Sequence, residues 1–157
     1  MILDIKPGIG IGDLEFGMSR VEVRRVLGEP DEKEKDRFED DGEIIESEDW
    51  HYDKYELSLS FDQDEQWLLT TMAISSEEST LGQLPLMGMS EAQLIEVLKQ
   101  MGIEDLDHED MSDKDNPSLI RIASDEYGIN FWFEEGQLSE IKWTPLLNEE
   151  GEIDWPL

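Results

Sequence analysis

The sequence predicts an α+β fold: two tandem helix-then-antiparallel-meander repeats forming one continuous antiparallel sheet with the helices packed on one face. Three observations carry that expectation. A Gly-Met-Ser triplet occurs twice, at Gly17-Met18-Ser19 and Gly88-Met89-Ser90. Each triplet precedes a stretch whose apolar residues recur at helical spacing. Beyond an acidic connection, each stretch is followed by residues that alternate apolar and polar. Repetition at a fixed offset marks a duplicated unit, and the change of period separates helix from strand.

The helix starts are specified chemically. Ser19 with Glu22, and Ser90 with Gln93, have the spacing of a capping box, in which the hydroxyl accepts from the N3 amide and the longer side chain accepts from the cap amide. Met18 with Val23 and Met89 with Leu94 are spaced as hydrophobic staples. The apolar stripes then run through Val23, Val26 and Leu27, and through Leu94, Ile95, Val97, Leu98 and Met101. Gly28, followed by Pro30, and Gly102 are the natural stops.

The strands follow from period-2 alternation. Tyr55, Leu57, Leu59 and Phe61 alternate with Glu56, Ser58, Ser60 and Asp62, while Tyr127, Ile129, Phe131 and Phe133 alternate with Gly128, Asn130, Trp132 and Glu134. Trp50-His51-Tyr52 and Ile120-Arg121-Ile122 precede these segments; Leu69, Met72 and Ile74 and then Leu138, Ile141 and Trp143 follow them. Each copy therefore reads as a helix and three antiparallel strands. A unit of that size buries too little surface to be comfortably stable alone, so the copies are expected to share a sheet of six or more strands with one face open to water. Residues 9–11 and 2–5 are candidates for additional short strands. The organisation expected is a single domain over 1–157, with repeat 1 at about 9–76, repeat 2 at about 80–145 and a C-terminal tail at 146–157.

Hydrophobic residues make up 38% of the chain, enough to build a core rather than a disordered acidic tail. The 41 acidic and 12 basic residues give a formal net charge of −29. Such a field repels nucleic acid and anionic lipid and attracts cationic proteins, so a basic protein partner is expected, and neither nucleic acid nor membrane. It also opposes large homo-oligomers, leaving a monomer or small oligomer. The same acidity serves solubility equally well. No apolar run approaches the roughly 20 residues that cross a bilayer, and the first residues lack the basic and apolar regions of a signal peptide. With no cysteine in the chain, a reducing cytoplasm is the expected location.

Motifs for catalysis or cofactors are weak. Gly8-Ile9-Gly10-Ile11-Gly12 lacks both Gly-x-Gly-x-x-Gly order and a Lys-Ser/Thr pair, and Asp13 and Glu15 would repel phosphate, so a glycine-rich strand or turn is expected there. Asp62-Gln63-Asp64-Glu65 and the cluster of Asp105, Asp107, Glu109, Asp110, Asp113 and Asp115 lack the glycine-centred order of a calcium loop. His51 and His108 are the only histidines, and no His-Glu-x-x-His spacing occurs. No catalytic residue, cofactor or metal ligand is assigned.

Binding residues are expected on two surfaces. The acidic density peaks between Glu29 and Glu65, where 17 acidic minus 4 basic residues leave −13. Within it Glu39, Asp40, Asp41, Glu43, Glu46, Glu48 and Asp49 form a landing site for a basic partner, or else a solvated loop. The open sheet face, inferred from alternation, carries His51, Asp53, Glu56, Ser58, Ser60, Asn130, Trp132 and Glu134, with Arg121, Glu140 and Lys142 in the same outward row. A Trp among polar neighbours suits an interface anchor. The alternative is that Trp155-Pro156-Leu157 folds over it.

Gly-Met-Ser, a short capped helix ending in Leu27-Gly28-Glu29-Pro30, and a following antiparallel meander resemble the repeat of beta-lactamase inhibitory protein. They also resemble small outer-membrane-assembly lipoproteins that carry one such unit. The resemblance spans about residues 9–143 and implies a protein-binding module that grips a partner with a concave sheet face. Lacking cysteines, a secretion signal and a lipobox, and with Gly102-Ile103-Glu104 in place of the Gly-x-Pro ending, the chain is expected to be an intracellular relative. The function expected is that of a non-enzymatic inhibitor, an immunity protein neutralising a cognate toxin, with a basic nuclease as one fitting class. A small-ligand or divalent-cation-binding protein and a structural scaffold subunit are the alternatives.

Overall fold

Both Ser-x-x-Glu/Gln sequences close as capping boxes in the computed structural model, which describes residues 1–156. The Glu22 amide donates to Ser19 Oγ at 3.2 Å, and the Ser19 amide to Glu22 Oε1 at 3.2 Å. Ser90 and Gln93 repeat the exchange at 3.2 and 3.0 Å. In chain order the elements are β1 (Asp4–Lys6), β2 (Gly10–Ile11), β3 (Leu14–Glu15), α1 (Arg20–Leu27), β4 (Glu32–Asp40), β5 (Glu43–Tyr52), β6 (Leu57–Asp62) and β7 (Leu68–Ile74). There follow β8 (Thr80–Leu81), β9 (Leu84–Pro85), α2 (Glu91–Gln100), β10 (Asp107–Asp110), β11 (Ile120–Ser124), β12 (Ile129–Glu134), β13 (Gln137–Trp143), β14 (Leu146–Leu147) and β15 (Ile153–Asp154).

The expected balance of helix-then-meander units is corrected by this architecture. Strand accounts for 46% of the residues and helix for 15%, with two α-helices among the described residues, so the molecule is predominantly β. Its main body is an eight-stranded antiparallel sheet in the order β10-β11-β12-β13-β7-β6-β5-β4. A separate five-stranded sheet, β3-β2-β1-β8-β9, contains a parallel pair between β1 and β8, and β14 and β15 form a small hairpin. Two causes explain the difference. The connections expected to be irregular contain β4 and β10, which are exposed on both faces and so show no apolar alternation. The small sheet is made of two- and three-residue strands, too short for periodicity to register.

Glycine at position 10 has a packing reason. Gly10 has φ +157, and a Cβ there would collide with the carbonyl oxygen of Leu14, so the β2–β3 hairpin closes only without a side chain. That accounts for a glycine in this stretch without any anion.

The core lies between the inner face of the large sheet, the helices and the small sheet. Trp50, Leu59, Phe61, Met72, Phe131, Phe133, Ile141 and Trp143 come from the large sheet, Val23, Leu94 and Leu98 from the helices, and Ile5, Ile11 and Leu14 from the small sheet. The helical stripes are narrower than their sequence period suggests, since Val26 and Ile95 remain 39% and 42% exposed. Among the described residues no helix is long and apolar enough to cross a membrane.

Candidate functional site

On the large sheet's other face, one unbroken row of directly opposed residues crosses all eight strands. On the β4 side it runs Glu32, His51, Ser58 and Ala73; on the β10 side it continues through Lys142, Asn130, Ala123 and Asp107. Neighbouring rows add Glu34, Asp49, Ser60 and Thr71 on the first side and Glu109, Arg121, Trp132 and Glu140 on the second. Most residues of the central strands are half-buried here, packed flank to flank without reaching the core. Register shifts interrupt the ladder beside Ser60 and beside Trp132, and bulges of this kind re-aim side chains.

The β4 side is acidic and internally hydrogen-bonded. His51 Nδ1 lies 2.7 Å from Ser58 Oγ; with that hydroxyl donating, Nε2 carries the hydrogen and faces Glu34 Oε1 at 3.6 Å. Ser60 Oγ donates to Asp49 Oδ1 at 2.7 Å, and Thr70 Oγ1 donates to Asp62 Oδ2 at 2.9 Å. Burial pushes the Asp62 carboxyl above its ordinary value, the Thr70 hydrogen bond pulls it back, and Asp64 and Asp49 push it further up. Oxygens of Glu34, Asp36 and Asp49 lie within 4.8 Å of one another, the closest approach to a hard-cation ligand set on this face. At the end of the face a cleft of about 440 Å³ is lined by Glu32, Glu34, His51, Asp53, Glu56 and Ser58 among others. Glu56 stands in the left-handed region, φ 47, where it ends the 3₁₀ turn Asp53–Tyr55.

The β10 side is mixed in charge and aromatic. Arg121 pairs with Glu109 and donates through Nη1 to Asn130 Oδ1 at 3.3 Å. Trp132 is half-buried, and its indole N–H is shielded from solvent with no acceptor. It lines a second cleft, of about 400 Å³, with Asn116, Leu119, Glu134, Ser139 and Glu140. Burial raises the Glu140 carboxyl, Lys142 opposing and Glu134 adding to the shift. Trp155 packs against Gly17, at the approach to α1, rather than lining this cleft. Leu157, part of the covering tail considered above, lies outside the described residues.

The residues expected to bind are thus distributed over three places. Asp49, His51, Ser58, Ser60, Asn130, Trp132 and Glu134 belong to the open face, and Asp53 and Glu56 to its cleft. Glu39, Asp40, Asp41 and Glu43 form the tip of the β4–β5 hairpin, turned by Asp41 and Gly42 at φ 50 and 82. Glu46 is half-buried on the reverse side with Arg37 at 3.6 Å. Glu48 is 7% exposed on the helix side, accepting from Trp50 Nε1 at 2.6 Å and from Arg20 Nη1 at 3.2 Å, and so is committed to the fold. The acidic loops are also engaged locally: Asp110 accepts from the Ser112 amide, and Asp113 from those of Asp115 and Asn116. Sequence reasoning missed Glu32, Glu34 and Asp36. The sign alternation Glu32-Lys33-Glu34-Lys35-Asp36-Arg37 was the signal that could have placed them on one face.

Fold and face together define a class: a β-dominated protein whose large antiparallel sheet leaves one polar, half-buried face open, acidic on one flank and aromatic on the other. No family model, curated protein or solved structure matches this chain.

Proposed function

We propose that this protein is a non-enzymatic binding protein that neutralises a basic protein partner in the cytoplasm, an immunity protein whose open sheet face covers the cationic surface of a cognate toxin. A single observation carries the reading. The open face sets the carboxylates of Glu34, Asp36 and Asp49 at one flank and a half-buried Trp132 with an unused indole donor at the other. Acidic residues of this kind raise the association rate and select the partner's sign, while a buried aromatic supplies affinity. A nuclease, whose phosphate-binding cleft is positive, is one toxin class that fits.

The test is co-expression with the products of adjacent genes, followed by co-purification and a toxicity assay. Capture that weakens with salt and is lost in Trp132→Ala supports the proposal; no capture of, and no protection from, any neighbour product counts against it. Two other classes give distinct results. Calcium at micromolar concentration raising the melting temperature would favour a cation-binding protein, with Glu34, Asp36 and Asp49 as oxygen donors. Stable self-association would favour a scaffold subunit.

A further inference from the structure

The longest fully exposed element is the edge strand β4, whose free backbone borders the open face. Its nine residues are all exposed, and it is paired on one side only, with β5. The opposite edge, β10, has four residues. Every second residue of an edge strand directs its N–H and C=O outward, an unfilled half-ladder ready to take another strand.

The charges on β4 are sorted by face. Glu32, Glu34 and Asp36 share the open face with His51 and Asp49, while Lys33, Lys35 and Arg37 share the helix side, opposite Trp50, Glu48 and Glu46. Phe38, 46% exposed, follows the three acids on the open face. Charges in any arrangement would discourage aggregation at an edge. Sorting them by face adds nothing to that protection, but it does encode an order that a neighbouring strand can match. Two copies pairing antiparallel at this edge, with their open faces on the same side, would set acid against acid and base against base, since opposed residues share a face. Like charges directly opposite one another are destabilising.

We propose that β4 is the docking edge for an extended segment of a partner protein. That segment begins with an apolar residue and then alternates acidic and basic residues, and it adds antiparallel as a ninth strand with its bases on the open face. Each rung then pairs opposite charges, and Phe38 fixes the register. The proposal shares Glu34 and Asp36 with the sheet-face reading but adds the unpaired backbone of the edge, which that reading does not use.

The probe is the peptide Val-Glu-Lys-Glu-Lys-Glu-Lys, whose antiparallel alignment sets Val opposite Phe38. The control is Val-Lys-Lys-Lys-Glu-Glu-Glu, with the same composition and net charge but no single-sign face. Both are titrated into the whole protein at low ionic strength, where exposed charges are least screened. The alternating peptide is expected to bind roughly tenfold tighter or better than the block peptide, the sum of several cross-strand pairs, and to slow amide exchange along β4. The charge-neutral double variant Glu34→Lys, Lys35→Glu, at exposed positions, should erase the difference while circular dichroism and cooperative unfolding show that the sheet still folds. Equal binding of the two peptides, binding that leaves β4 exchange unaltered, or a dimer whose β4 amides are already protected would each overturn the proposal. None of these outcomes bears on Trp132, so the sheet-face reading stands or falls separately.

Discussion

Between β4 and β6 the open face presents Glu32, Glu34, Asp36, Asp49 and His51; between β11 and β13 it presents Arg121, Asn130, Trp132, Glu140 and Lys142. Both flanks are outward rows of an antiparallel meander, yet one is rich in unneutralised carboxylate and the other pairs its charges around an aromatic ring. The acidic flank acts at a distance, through a field that salt screens. The aromatic flank acts only on contact, through desolvation of its ring. Under the proposed reading, a face so divided separates finding a partner from holding it.

The sharpest way to break this comparison is within one strand. Phe131 and Trp132 are adjacent, one fully buried in the core and the other on the open face. Phe131→Ala is expected to cost about 3–5 kcal/mol of folding stability, measured by denaturant unfolding. Trp132→Ala should leave stability within about 1 kcal/mol and instead cost roughly 2 kcal/mol of partner affinity, about thirtyfold. Equal destabilisation by the two would remove the distinction between core and recognition face. On the acidic flank, Glu34→Gln with Asp49→Asn should slow association several-fold at low salt and change the dissociation rate little, as followed by stopped-flow or surface binding.

The smallest effect is a pH dependence to which both flanks contribute. Asp62 and Glu140 have folded-state pKa values raised above their ordinary 3.8 and 4.5, in each case chiefly by burial. A carboxyl with a raised folded pKa binds its proton more tightly when folded, so stability increases as pH falls through that pKa toward the ordinary value, and is lost again as pH rises. The melting temperature should therefore climb on acidification from neutrality toward the ordinary carboxylate range. Asp62→Asn and Glu140→Gln should each flatten part of that rise.

The sequence revealed what has a core side. The capping boxes at Ser19 and Ser90, and the alternation through Leu57, Leu59 and Phe61 and through Ile129, Phe131 and Phe133, were legible because burial imposes a period on them. Strand β4 has no buried side, so its alternation is one of charge sign and passed for an acidic connection, although Asp41-Gly42 is a strong hairpin signal. The small sheet was visible only as glycine-flanked isoleucines. For the site, parity placed His51, Ser58, Ser60, Asn130 and Trp132 on one face, while Asp49 was legible only as part of the acidic run. It did not separate out Glu48, since a composition count cannot tell an acid facing solvent from one bonded to Trp50 and Arg20.

The two meanders meet at β7 and β13 through only three opposed pairs, Ile74 with Ile141, Ala73 with Lys142 and Met72 with Trp143, whereas β4 and β5 share nine. That midline is where the large sheet can crease at the least loss of ladder bonding. Under the proposed reading, a partner seated on the open face lies across that seam, with Lys142 and Ala73 directly beneath it.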